Sequence, residues 1–263
     1  MNRVFRDSAI IAYRNILTIV RVPTLLVTAT VQPLMFVFVF AYVFGASLGG
    51  GAYREFLLAG IFAQTAAFSA AFTTVGLAND LSKGIIDRFR SLPMSRAAVL
   101  LGRTLSDLLV SMVSLGVMVG AGYVVGWRIN GSIGDALAAF ALILLFGFAM
   151  SWVGALTGLM SRNVEVAQSA GLIWMFPVCF ISSCFISAQS LPGPLRTIAE
   201  WNPITAVAAS GRDLFDNKAP AFFPKPANWP ADHATLYAFA CSLAVLAIFV
   251  PLALNQYRKV ASH

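Results

Sequence analysis

Six stretches of this chain carry no aspartate, glutamate, lysine or arginine: 24–44, 56–78, 108–127, 136–161, 166–195 and 234–257. A helix rising 1.5 Å per residue needs about 20 residues to cross a hydrocarbon core about 30 Å thick, and each stretch is long enough. An unpaired backbone amide in lipid costs several kcal/mol, so each stretch reads as a helix. Composition agrees: 59% of the residues are hydrophobic and 11% are charged, whereas a soluble domain carries about 25% charged residues. The expected fold class is an all-α membrane protein with six transmembrane helices, organised as a single transmembrane domain over 1–263. Its spans are 24–44, 56–78, 104–127, 136–161, 164–187 and 234–257, with an interfacial helix over 1–23, a charged loop over 79–97 and an outer segment over 188–233.

Six spans leave both termini on one side, and basic residues mark that side as cytoplasmic. With the termini inside, the inner segments hold Arg3, Arg6, Arg14, Arg21, Lys83, Arg88, Arg90, Arg96, Arg103, Arg162, Arg258 and Lys259. The short outer loops hold Arg54 and Arg128; four further basic residues fall after residue 188, in a segment long enough to translocate regardless of charge. The net charge of +7 is therefore topology, and no nucleic-acid partner is expected. Residues 1–23 place Val4, Phe5, Ala9, Ala12, Tyr13, Ile16, Leu17 and Val20 at helical spacing opposite Arg3, Asp7, Arg14 and Arg21, with Pro23 closing the run. That pattern suits a helix lying in the inner leaflet against membrane lipids and not a cleavable signal.

Catalytic signatures are missing from the sequence. No G-x-x-x-x-G-K-[ST] loop occurs to cradle a phosphate, and His233 and His263 both lie outside the expected spans. Cys179, Cys184 and Cys241 sit in apolar runs without metal-ligand spacing, as small packing residues do. Gly116 with Gly120, Gly122 with Gly126, and Gly154 with Gly158 mark close helix approach, expected within the chain ahead of a subunit seam. The fifth run exceeds a span by about ten residues and leads into a segment holding seven of the twelve prolines, from Pro192 to Pro230. Two short helices are expected there, one after Pro192-Gly193-Pro194 and one capped by Asn202 with Pro203 in its first turn. Beside Trp201, they would re-enter the outer interface without crossing it, and 216–233 would form an extended outer loop.

Between the second and third spans lies GIIDRFRSLPMSR, residues 84–96. Leu81, Ile85, Phe89 and Leu92 fall on one helical face, with Asp80, Lys83, Asp87, Arg88 and Arg90 mostly off it, and Pro93 ending the helix. An apolar ridge on the cytoplasmic side needs something to bury against. The inner leaflet and a second protein both remain open, with Asp80 and Asp87 weighing against anionic lipid. Few ionisable residues fall inside the spans. Arg103 and Asp107, one turn apart near the inner end of the third, form a candidate intramembrane polar pair, either structural or in contact with a substrate.

The stretch NDLSKGIIDRFRSLPMSRAAVLLGRTLSD resembles the segment between the second and third spans of type-2 ABC-exporter permeases, in particular their daunorubicin-resistance-type drug-efflux branch. Asp80, Gly84, Asp87, Arg88, Phe89, Arg90, Leu92, Pro93, Gly102 and Arg103 carry the resemblance, and SLPGPLRTIAEWNPIT resembles the family's outer re-entrant segment, ending in Trp201-Asn202-Pro203. The acidic pair common in other branches is absent, which favours drug efflux over carbohydrate export.

The resemblance implies a coupling helix in which Asp80, Lys83, Gly84, Ile85, Asp87, Arg88, Phe89, Arg90, Leu92 and Pro93 meet a separate ATPase subunit. It implies two ATPase copies and a second permease chain, identical or related. ATP and Mg would act at the partner ATPase, with no cofactor bound by this chain. The implied location is a bacterial cell membrane, with both termini cytoplasmic. The implied function is export of a hydrophobic or amphipathic molecule such as a drug or lipid. A membrane scaffold recruiting a cytoplasmic partner, and a permease for lipid-linked carbohydrate, are the alternatives. A secondary carrier would show paired broken helices and ionisable groups near the midplane, which the sequence lacks.

Overall fold

The computed structural model describes residues 24–45, 50–85, 96–217, 219–220, 223 and 226–260, and the regular elements among them are all helical. The expected interfacial helix over 1–23 and residues 86–95 of the charged loop lie outside the described residues. Helix α1 (Thr24–Val39) runs into a π turn at Phe40–Phe44. It is followed by α2 (Gly51–Ser82), α3 (Arg96–Val124), α4 (Ile133–Met160), α5 (Val164–Ile173) and α6 (Met175–Phe180). Then come α7 (Gly193–Glu200), α8 (Pro203–Leu214), α9 (Trp229–Asp232) and α10 (Ala234–Val260).

Four of these helices, α2, α3, α4 and α10, are long and apolar enough to cross a membrane, and Thr30–Phe44 and Val164–Phe180 form shorter apolar helices. The stretch expected as one helix over 164–187 is divided. Its helix breaks at Trp174, resumes to Phe180 and then leaves helical geometry. Pro177 accounts for the break: it has no N–H to offer Ile173, and its ring crowds that carbonyl. Across the break the chain still runs antiparallel to α2, with Gly171 against Ala71 and Thr74, and Cys184 against Gly60.

Helix α2 is the hub. Of its most apolar window 89% is buried, against 17% for α10, which therefore presents most of its surface to the surroundings. Small residues let α4 press onto it. A Cβ on Gly154 would overlap the carbonyl oxygen of Ala70, and one on Gly158 would lie 2.7 Å from that of Thr74. Hydroxyls use the closeness: Thr74 Oγ1 donates to the Gly154 carbonyl at 3.0 Å and Ser69 Oγ to that of Gly147 at 2.8 Å. Gly154 and Gly158 thus serve packing within the chain, whereas Cβ atoms built on Gly116 and Gly120 of α3 would meet nothing within 4 Å. Replacing Gly154 with leucine is expected to push α4 off α2 and to cost about 1–3 kcal/mol. Thermal unfolding of the purified variant in detergent checks this, and an unchanged midpoint would refute it.

Side chains tie the helix ends together. At one end Arg54 donates to the carbonyls of Ala41 at 3.3 Å and Val125 at 3.0 Å, joining α1, α2 and α3. There, too, Asn217 accepts from Trp127 Nε1 at 2.7 Å and donates to the Arg128 carbonyl at 2.9 Å. The opposite end holds the last turn of α2 and the first turns of α3.

Candidate functional site

Helix α2 ends where the charged segment begins. Gly84 sits at φ +63° and its N–H bonds the Leu81 carbonyl at 3.0 Å, a left-handed helix stop that residues with a Cβ rarely adopt. Lys83 is exposed at this stop, and Ile85 beyond it is half-buried. Leu81 does not continue into one unbroken helix with Ile85, because α2 ends at Ser82 and Gly84 stands in the left-handed region between them. It packs instead against the cluster of Leu77, Val99, Leu100, Trp152 and Tyr257. Asp87, Arg88, Phe89, Arg90, Leu92 and Pro93 lie outside the described residues.

Beside that stop lies an ion cluster. Arg103 Nε is 3.3 Å from Asp107 Oδ2 along α3, and its Nη1 is 3.4 Å from Asp80 Oδ2 on α2. Thr73 Oγ1 donates to the same Asp107 oxygen at 2.7 Å. The guanidinium presses close against α2: a Cβ on Gly76 would overlap it. The three charged side chains are 12–20% exposed, so their attraction is screened far less than at a free surface. The chemical consequence is a clamp. Two carboxylates grip one planar cation, and with it the two helices that flank the charged segment are held as a unit. Asp80, expected among the ATPase contacts, is thereby engaged inside the bundle. Thr73 and Gly76 escaped the sequence reading, although 73, 76 and 80 share one face of a helix.

At the opposite end the non-helical turn after α6 is held by side chains. Asn202 caps α8, accepting from Ile204 N–H at 2.9 Å, and its amide donates to the carbonyls of Val178 and Ile181, both at 2.7 Å. Pro203 occupies the first turn of α8, where its missing N–H costs nothing. Trp201 is exposed, its carbonyl accepting from Tyr237 at 2.9 Å. Thr205 Oγ1 accepts from Ser183 N–H at 2.9 Å, and Tyr53 donates to the Phe185 carbonyl at 3.2 Å.

Arg212 completes this knot. It is 7% exposed and donates to the carbonyls of Phe56 (2.9 Å), Ser183 (2.6 Å) and Cys184 (3.4 Å), with its guanidinium 3.5 Å from the Phe56 ring centroid. Burial pulls its pKa down to about 10, so it keeps its charge at neutral pH. The sequence places Arg212 only among the four further basic residues after residue 188, with no role attached; its place in the apolar run ITAVAASGRDLF is the available signal.

The profile of the ABC-2 type transporter family matches residues 8–215, a range that contains both the ion cluster and the Arg212 knot. The chain belongs to that family. It is a family of ABC transporter permease subunits, which are not themselves ATPases, and its membership fits the multi-pass helices described above. Among relatives, this ABC-2 permease is 28% identical over 253 residues to the daunorubicin resistance ABC transporter permease protein DrrB1 of Streptomyces coeruleorubidus, covering 95% of this chain and 86% of that protein. It is 23% identical over 192 residues to the probable doxorubicin resistance ABC transporter permease protein DrrC of Mycobacterium tuberculosis, covering 73% of this chain and 65% of that protein.

Proposed function

We propose that the chain is the transmembrane subunit of an ATP-driven exporter that moves an amphipathic, drug-like molecule out of the cell. The observation that carries this reading is membership of the ABC-2 family together with near full-length similarity to a permease named for daunorubicin resistance. ATP and Mg act at a separate ATPase subunit, and two permease chains with two ATPases complete the machine. Six helical crossings fit this reading. Helix α1 with its π turn and the α5–α6 pair run beside α2 and supply the two beyond the four long helices. The Arg103 end is cytoplasmic and the 216–233 end faces outward, as the basic residues of the sequence require. Cysteines introduced one at a time are then expected to react with an impermeant maleimide from outside at 219 and 227, and not at 83. Labelling of residue 83 in intact cells would invert the topology.

In this machine the segment 84–93 docks on the ATPase, and the Asp80–Arg103–Asp107 clamp passes its movement to α2 and α3 together. Phe89 is the candidate anchor. Truncating a buried aromatic at an interface costs about 2–4 kcal/mol. Phe89→Ala is therefore expected to weaken co-purification of the ATPase by more than tenfold while membrane insertion stays normal. Unchanged co-purification and unchanged transport would remove the docking role from this segment.

A further inference from the structure

Near the middle of α2, at a depth where a bilayer supplies no hydrogen-bonding solvent, one buried amide has no partner. Gln64 is 3% exposed, lies about 20 Å along the helix from Gly51, and makes no side-chain hydrogen bond among the described residues. An amide left unbonded in an apolar setting is costly. Among the described residues the fully enclosed polar atom without a partner is Trp152 Nε1, so the Gln64 amide keeps an open side. That side is a cleft of about 20 Å³ between α1 and α2, lined also by Gln32, Phe36, Thr65, Phe68 and Phe72. A space of that size takes one polar group and no whole molecule.

The neighbours of Gln64 divide into polar and aromatic. The Thr65 hydroxyl is engaged with Met118 Sδ at 3.4 Å, which leaves Gln64 as the free group, with the exposed Gln32 beside the cleft on α1. Phe36 is half-buried and begins a stack along α1, with ring centroids 5.7 Å from Phe40, which lies 4.8 Å from Phe44; Phe185 joins at 5.8 Å from Phe36. Phe72 is exposed on the α2 wall, and Phe68 is held edge-on by Phe176 at 5.7 Å. A flat ring can therefore lie against Phe36 and Phe72 and extend a stack already present. No charged side chain is among the described lining residues, so an ionic group would enter unpaired. A plain hydrocarbon would leave the Gln64 amide unsatisfied. Lipid ester carbonyls lie at the headgroup boundary, away from the middle of α2.

We infer that the α1–α2 cleft takes an uncharged carbonyl or hydroxyl oxygen of a planar aromatic cargo, bonded by the Gln64 amide while the ring system lies against Phe36 and Phe72. The inference deepens the export reading and rests on it, by naming the chemistry that the cargo presents in mid-membrane. Gln64 is the residue that separates an oxygen-bearing ring from a bare one.

Anthraquinone and anthracene share a flat three-ring skeleton and differ by two carbonyl oxygens, which makes them the probes of choice. Binding to the full chain in lipid nanodiscs is measured by equilibrium dialysis, with empty nanodiscs subtracted. Saturable binding of the quinone is expected, with anthracene weaker by about tenfold or more. Gln64→Leu removes the amide at similar volume and is expected to weaken quinone binding about tenfold, the loss of one buried hydrogen bond. Anthracene binding should not change, and the thermal midpoint should not fall, because an apolar group replaces an unpaired polar one. Gln64→Met repeats the test with an unbranched side chain. Should neither variant fold, the two probes on the parent chain decide. Equal binding of quinone and anthracene, or quinone binding untouched in a folded Gln64 variant, means that the amide holds a water only and overturns the inference. Anthraquinone transport by an assembled exporter carrying Gln64→Leu at the parent rate would sink this site and leave the export reading intact. Gln64-dependent binding in an assembled complex that transports no cargo offered would do the reverse.

Discussion

Replacing Arg103 with methionine is expected to destabilise the chain by about 3–5 kcal/mol, the cost of orphaning buried charge, and to abolish export. Arg103 is the cation between Asp107 at 3.3 Å and Asp80 at 3.4 Å, in a site where the three side chains are 12–20% exposed. Methionine fills the space and leaves two carboxylates facing each other with little water. The triple variant Asp80→Asn, Arg103→Met, Asp107→Asn should regain most of the stability, because the penalty belongs to the unpaired charges and not to the missing pair. It should not regain export if the clamp transmits movement from the charged segment. Thermal unfolding in detergent reads the first effect and vesicle transport the second. An Arg103→Met chain as stable as the parent would show that the clamp contributes nothing to the fold.

Arg212→Met is expected to have an effect of similar size at the other end. The carbonyls of Phe56, Ser183 and Cys184 would lose a charged donor in a buried setting. Each unsatisfied group costs about 1–3 kcal/mol, so the loss should exceed about 3 kcal/mol. Lysine should not rescue it, since one ammonium cannot span the fork that reaches Phe56 on one side and the 183–184 turn on the other. Cys184 supplies an internal reporter: it is fully buried beside this knot, and its alkylation should accelerate sharply in Arg212→Met. A Cys184 that stays protected in a variant of normal stability would mean that Asn202, Thr205 and Tyr53 hold the turn alone.

These two arginines also mark where the sequence was readable. Arg103 and Asp107 are one helical turn apart, so their pairing follows from local spacing. Asp80 and Thr73 join them from another helix, and no local pattern announces a partner 23 residues away. Caps are local as well: Pro192 before α7, and Asn202 with Pro203 before α8, are legible because the signal and the structure occupy the same few residues. The division of the fifth apolar run was harder, because hydropathy is continuous across Trp174 and a single proline decides the geometry. Gly84 hid the end of α2 in the same way. The apolar spacing of Leu81 and Ile85 continues through it, and only the left-handed backbone ends α2 before Ile85. Arg212 draws no role from the sequence, because the carbonyls that hold it come from Phe56, Ser183 and Cys184, distant along the chain.

The central claim is that this permease and a separate ATPase form one exporter, and cargo-dependent ATP hydrolysis tests it most directly. The chain should be co-reconstituted with its ATPase in proteoliposomes, with daunorubicin as the probe. The account predicts that the drug stimulates hydrolysis severalfold and crosses the membrane only with ATP, and that Arg103→Met uncouples both. A stable permease–ATPase complex whose hydrolysis ignores every amphipathic cargo offered, and which moves none of them, would contradict it and leave a membrane scaffold in its place.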